Sequence, residues 1–280
     1  MVAGKRASLD KARRRYAKQM AAASKSDDPR LERAFRLVPR EAFLPPGPWR
    51  IWRDGCYLQS PSADPADVYQ NALVALDPSK GINNGEPFLH AAWIGAVTPR
   101  SGDTVCHVGA GSGYYTALLS LLVQPGGRVE AFEIDPDLAA WARRNLEPFD
   151  GVTVVQGDAT ILPMPPSDLI YVNAGVVAPP LSWLRTLRPN GRIILPWRPA
   201  EEVGLAVVIC RREDAFEVAP LMAAWFIPCV GASSTDGCLK IPDTSEAWSA
   251  RSVWLTSHKA PDETAVAIYQ HVWFSSASVR

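Results

Sequence analysis

The chain has 280 residues, 47% apolar and 21% charged, with Lys+Arg and Asp+Glu balanced at 29 each and a net charge of zero. That length suffices for one large core with additions, and the balance argues against the long-range field that gathers nucleic acid or membrane. The five cysteines are scattered without a CxxC pair and there are four histidines, which argues against a disulfide framework or a metal site and fits a reduced cytoplasm.

The first stretch, KRASLDKARRRYAKQ, carries seven Lys/Arg and one Asp and reads as a solvated amphipathic helix rather than a nucleic-acid arm. It lacks the apolar h-region of a signal peptide, and no run of about 18 apolar residues predicts a membrane span. Residues 1–45 read as helical. Asp28 before Pro29 is an N-cap and first-turn pair opening PRLERAFRLV. Residues 45–80, with PPGPWRIW and QSPSADPAD, hold too much proline for long regular elements and predict loops that cover a site or wrap the surface.

From about residue 102 apolar runs alternate with helical stretches. TVCHVG, RVEAFEI, VTVVQ, DLIYVNA and RIILPW predict strands, with GYYTALLSLLV, PDLAAWARRNL and PPLSWLRTL as helices. This rhythm predicts an α/β fold with a parallel sheet. VGLAVVIC and FEVAP read as a hairpin about the turn RREDA, and AAWFIPCVG as a further strand. SARSVWLTS and TAVAIYQHVWF read as two strands, an appended edge or a dimer contact. The expected division is 1–80 N-terminal helices and substrate-side loops, 81–231 core, 232–280 C-terminal extension.

VCHVGAGSGYYTALLS carries the strongest chemical signal: a buried strand, then Gly109-Ala110-Gly111-Ser112-Gly113, then a helix. Glycines let the backbone approach a ligand, and the helix start offers free N–H groups. A dinucleotide fingerprint needs glycine where Tyr114 stands, so a nicotinamide dehydrogenase is disfavoured. The pattern suits a nucleoside cofactor without pyrophosphate, such as S-adenosylmethionine (SAM). Glu133, ending the second strand, is placed to accept both ribose hydroxyls, because Asp135 before Pro136 already serves as helix cap. Asp158 reads either as an acceptor for the adenine amino group or as a turn aspartate. Asn173 ends the fourth strand, where the crevice of an open α/β sheet lies.

RLVPREAFLPPG, HVGAGSGYYTALLS, EAFEIDPDLAAWARRNL, VVQGDAT, DLIYVNAG, LRPNGRIILP and FIPCVG follow one another in the order found in the protein-L-isoaspartate O-methyltransferase family, which the chain resembles over roughly residues 10–231. The resemblance implies a Rossmann-like seven-stranded SAM-methyltransferase sheet with a helical N-terminal segment and a C-terminal extension. It implies SAM as cofactor and S-adenosyl-L-homocysteine as product. The cofactor would be held by His107, Gly109, Ala110, Gly111, Gly113, Tyr114, Glu133, Ile134, Asp158, Ala159 and Asn173. The chain departs from the family's pattern in two places, the segment before the apolar run PFLHAAWIGAV and the residue two before the first glycine. The family's segment of type GQTISxPxxxA, aligned on Pro87 and Ala91 of GINNGEPFLHA, puts Asn83 at its Thr and Gly85 at its Ser. His107 stands where the family has an acid.

The expected reaction is methylation of a carboxylate on an aspartyl or isoaspartyl peptide or protein, or on a small acid. A carboxylate of pKa about 4 needs no general base at neutral pH, only positioning and desolvation. Asn83, Asn84 and Asn173 can supply amide donors in place of the missing hydroxyl. The alternative is an N- or O-methyltransferase of a small molecule or peptide with Glu86 or His90 as base. A third reading is a SAM-binding module without turnover. For the asparagines the structural role is a tight turn, and for His90 a packed helix. A homodimer through the extension, a cytoplasmic location and no nucleic-acid or membrane partner complete the expectations.

Overall fold

The computed structural model describes residues 2–213 and 215–279, with side chains from residue 7 onward. Lys5 and Arg6 of the basic stretch, and Asp214 of the RREDA turn, therefore lie outside the described side chains or residues.

In chain order the elements are α1 (Val2–Ser24), α2 (Pro29–Leu37), β1 (Arg50–Arg53), β2 (Cys56–Gln59), β3 (Ala75–Asp77), β4 (Ile82–Asn83) and α3 (Pro87–Val97). There follow β5 (Thr104–Val108), α4 (Tyr114–Val123), β6 (Arg128–Glu133), α5 (Pro136–Leu146), β7 (Val152–Gln156) and β8 (Ser167–Val172). The chain closes with α6 (Leu181–Thr186), β9 (Leu187–Trp197), β10 (Leu205–Arg211), β11 (Phe216–Ala223), α7 (Thr244–Ser249), β12 (Ser252–Leu255), β13 (Ala265–Ile268) and β14 (Val272–Ser275). Both caps read from sequence are present: Asp28 accepts from the Arg30 N–H, and Asp135 from those of Asp137 and Leu138.

Two compact units emerge. The first comprises Met1–Gly102, Ala110–Val129 and Asp135–Val154. Within it α1 buries Tyr16, Ala17 and Met20, positions on one helical face. Helix α3 crosses the end of α1 at Gly95, where a Cβ would lie 2.2 Å from the Ser24 carbonyl oxygen. The basic stretch is thus half committed to packing, and Arg13 pairs with Glu41 and Tyr69.

The second unit comprises Asp103–Gly109, Glu130–Ile134 and Val155–Arg280. It is built on a sheet of ten strands in the order β13-β14-β12-β11-β10-β9-β8-β5-β6-β7. β5, β8 and β9 pair parallel, as the alternating rhythm predicts, and the hairpin β10–β11 is antiparallel. The sheet has ten strands rather than seven because the C-terminal extension adds β12, β14 and β13 in antiparallel register beyond β11. The stretch TAVAIYQHVWF is a hairpin, not one strand, turning through Tyr269–His271. AAWFIPCVG is not a strand: β11 stops at Ala223, and Pro228, which lacks an N–H, makes a single bridge to Gly175. β9 begins at Leu187 opposite Ser167 and rejoins β8 at Arg192 opposite Leu169, so the LRPNG segment bulges within the strand. The core of this unit gathers Cys106, Ile170, Val172, Trp183, Ile193 and Trp197, all fully buried.

Candidate functional site

The glycine loop begins where the fully buried strand β5 ends. Gly109, Gly111 and Gly113 all have left-handed backbones, with φ of 75, 58 and 96°. Gly113 is the most constrained: it caps α4, and a Cβ there would sit 2.8 Å from Leu146 Cδ1. The unit boundary falls inside this loop, between Gly109 and Ala110.

In the second unit the strand ends carry the residues expected from sequence. His107 is fully buried, and burial pushes its imidazole down to about 3. The ring is therefore neutral, and the Asn173 amide donates to its Nε2 over 2.8 Å. This turns Asn173 Oδ1 to a buried position with no hydrogen-bond partner. The Asn173 backbone also lies against Gly109, 3.5 Å from where a Cβ would be. Glu133 is 6% exposed at the end of β6, and its carbonyl accepts from the Gly157 N–H at 2.9 Å, while Ile134 is exposed. Asp158 serves its turn: Oδ1 accepts from the Thr160 N–H and hydroxyl at 2.8 and 2.7 Å. Its other oxygen faces Gly231, where a Cβ would stand 2.8 Å away. Ala159 is buried, and its carbonyl accepts from the Trp183 indole.

In the first unit Ala110 is buried, Gly111 faces Leu76, and the Ser112 hydroxyl is buried without a partner. The Tyr114 side chain is committed to packing. The phenol packs edge-on to Phe43 and lies 3.2 Å from the Tyr16 hydroxyl, and burial raises it well above its usual range. Only its backbone remains for a ligand. A cavity of about 280 Å³ opens in this unit, lined by Leu76, Lys80, Asp135 and Trp141 among others. The Lys80 ammonium pairs with Asp135 at the start of α5.

The GINNGEPFLHA segment is a built structure. Asn83 Oδ1 accepts from the Gly85 N–H at 2.9 Å, a side-chain turn. Asn84 is buried, and its oxygen accepts from Arg40 Nε and Nη2 at 3.3 and 3.2 Å. Arg40 is itself fully buried and also donates to the carbonyls of Val68, Gln70 and Ala72. Its charge is spread over four acceptors, and it ties this loop to residues 68–72. Glu86 is exposed, accepting from Asn71 Nδ2 at 2.6 Å. His90 is 1% exposed and stacks on Tyr115 with ring centroids 3.6 Å apart. Gly85 has φ of 75°, and a Cβ there would meet His90 Nε2 at 2.4 Å. The imidazole occupies the space that a side chain at position 85 would need.

Sequence reasoning did not single out Ser112, Arg40 or Tyr115. Ser112 sat inside the glycine motif and Arg40 inside VPREAF, but nothing in either marks a hydroxyl left unpaired or a guanidinium buried whole.

These features define a SAM-dependent methyltransferase: an α/β sheet with a glycine turn after its first parallel strand and an acid ending the next. The family model for protein-L-isoaspartate(D-aspartate) O-methyltransferase (PCMT) matches residues 17–234, and the chain belongs to that family. A protein-L-isoaspartate O-methyltransferase from Methanopyrus kandleri is 36% identical over 172 residues, covering 60% of this chain and 68% of that protein. Protein-L-isoaspartate O-methyltransferase 2 from Pelobacter propionicus is 32% identical over 211 residues, covering 73% and 84%. Among solved structures, a protein-L-isoaspartate O-methyltransferase superposes with a TM-score of 0.69 at 20% identity, covering 95% of this chain and 88% of that one. A second, assigned to the same activity in Plasmodium falciparum and complexed with S-adenosyl-L-homocysteine, gives 0.62 at 16% identity, covering 78% and 97%. Among the described residues no helix is long and apolar enough to cross a membrane.

Proposed function

We propose that the chain methylates the free carboxylate of an isoaspartyl residue in a peptide or protein, in the cytoplasm. The observation that carries this reading is that each unit, taken by itself, leaves a buried polar atom unpartnered: Ser112 Oγ at the glycine turn in the first and Asn173 Oδ1 at the end of β8 in the second. Leaving such atoms unsatisfied costs about 1–3 kcal/mol each, so they fit a polar ligand such as SAM. Gly109, Ala110, Gly111, Gly113 and the Tyr114 backbone would carry its amino-acid part, with Asn173 Oδ1 accepting from the ammonium group. Glu133 would take the ribose hydroxyls, with Ile134, Asp158 and Ala159 toward the base.

SAM supplies a sulfonium methyl group to the acceptor oxygen. The protein's task is to hold the acceptor carboxylate in line and dry. On this loop Asn84 Oδ1 is committed to Arg40 and Asn83 Oδ1 to the Gly85 N–H, and the Asn83 side chain also hydrogen-bonds the Tyr57 hydroxyl, so an acceptor that takes the Asn83 amide would have to displace that phenol. Neutral His107 fixes the Asn173 amide through Nε2 and moves no proton.

The extension adds strands to the sheet, its outermost strand β13 is bridged at Ile268 by Lys240, and a homodimer would form through this extension. His90, buried and stacked, is a poor candidate for a base, which leaves Glu86 for the N- or O-methylation alternative. A pH–rate profile separates the two. A carboxylate acceptor gives a flat kcat from pH 6 to 8, whereas a rate that rises through a titration in that window overturns the carboxylate reading.

A further inference from the structure

Arg198 follows β9, and its backbone N–H donates to the Val176 carbonyl at 2.7 Å. Its side chain lies over Gly175, where a Cβ would be 2.8 Å from Arg198 Cδ, so that glycine makes room for it. Nη1 donates to the Phe226 carbonyl at 2.6 Å. Nε is buried without a partner, and the guanidinium makes no ion pair among the described residues. The contrast with its neighbours in the same unit is sharp: Arg188 pairs with Asp168 at 2.5 Å and Arg192 with Asp103 at 3.0 Å. Arg40, the other half of the comparison, is buried without an acid but has four acceptors. A half-buried cation with one neutral partner is costly to hold, and an incoming carboxylate would compensate it.

Its location suits the acceptor. Gly175 lies two residues past Asn173, and its backbone pairs with Ile227 and Cys229 at 2.7 and 2.8 Å. Along that same segment Trp225, Ile227 and Val230 are 58, 48 and 57% exposed, an apolar run beside the lone cation. The reacting carboxylate is not the suitable guest. Methyl transfer removes its charge, so a guanidinium on it would stabilise the ground state more than the transition state and slow the step. A second carboxylate, unchanged by the reaction, carries no such penalty.

We propose that Arg198 binds a non-reacting carboxylate of the acceptor peptide, so that the enzyme selects sites with an acidic residue beside the one methylated. This rests on a peptide being the acceptor. The test uses two isoaspartyl peptides that differ only by Glu or Gln beside the isoaspartyl residue. Each is titrated calorimetrically into the whole protein saturated with S-adenosyl-L-homocysteine, for the wild type, Arg198→Lys and Arg198→Met. The expected result is about tenfold tighter binding of the Glu peptide by the wild type, as one charge-assisted contact gives, and a ratio near one in Arg198→Met, with Arg198→Lys between them. Unchanged thermal unfolding and S-adenosyl-L-homocysteine affinity show that the variants are folded. Equal binding of both peptides by the wild type, or an undiminished ratio in Arg198→Met, overturns the proposal. Methyl transfer measured on the same peptides keeps the two readings apart: discrimination in binding without transfer supports the role of Arg198 and sinks the isoaspartyl activity.

Discussion

Replacing Asn84 tests whether that residue builds the loop or greets the acceptor. Its oxygen takes two hydrogen bonds from the fully buried Arg40, at 3.3 and 3.2 Å. Asn84→Ala leaves two N–H groups of a buried cation without an acceptor. Hydrogen bonds to charged groups are worth about 1.5–3 kcal/mol, and these two are long, so the loss is about 2 kcal/mol. For a chain of this size that lowers Tm by roughly 4–8 °C. Asn84→Asp is the discriminating variant, because a carboxylate is isosteric and accepts from the same two nitrogens. A structural role predicts near wild-type Tm for Asn84→Asp, read by thermal unfolding in circular dichroism, and methyl transfer largely retained. If Asn84→Ala instead unfolds at the wild-type temperature while KM for the acceptor rises in both variants, Asn84 contacts the acceptor and the argument from Arg40 is wrong.

His107 gives a pH prediction. Its ordinary value is near 6.5 and its folded value about 3, so between these the unfolded chain binds the extra proton. Stability from this group is full above pH 6.5 and is lost as pH falls toward 3, by about 2 kcal/mol at pH 5. His107→Gln, which cannot charge, should show a shallower fall in Tm from pH 7 to 5; equal slopes in both proteins would refute the buried neutral ring. At the substrate loop, Gly85→Ser should lower both Tm and activity, because the new side chain meets His90 and a φ of 75° strains it by about 1–2 kcal/mol. Adding His90→Ala should recover part of the loss, and a gain of activity from Gly85→Ser alone would contradict the clash.

The strands β5 to β9 were legible because each is an apolar run closed by turn residues, and the caps because Asp28-Pro29 and Asp135-Pro136 are local signals. The hairpin within TAVAIYQHVWF was not, since its turn through Tyr269, Gln270 and His271 has neither glycine nor proline. AAWFIPCVG misled for the reverse reason: its apolar side chains face outward, Trp225 and Ile227 among them, because its backbone pairs with Gly175 instead of continuing a ladder. At the site, the glycine turn and the buried acid at β6 could be read directly. The commitments of Asn84 to Arg40 and of Gly85 to His90 could not, because they join residues 44 and five positions apart through packing that no periodicity encodes.

The most direct test of the central claim is transfer of labelled methyl from SAM to a short isoaspartyl peptide, beside its ordinary aspartyl twin. Label is expected in the isoaspartyl peptide alone, as an ester that alkali hydrolyses to methanol. Label in the aspartyl twin, or none in either from protein that binds SAM, would contradict it.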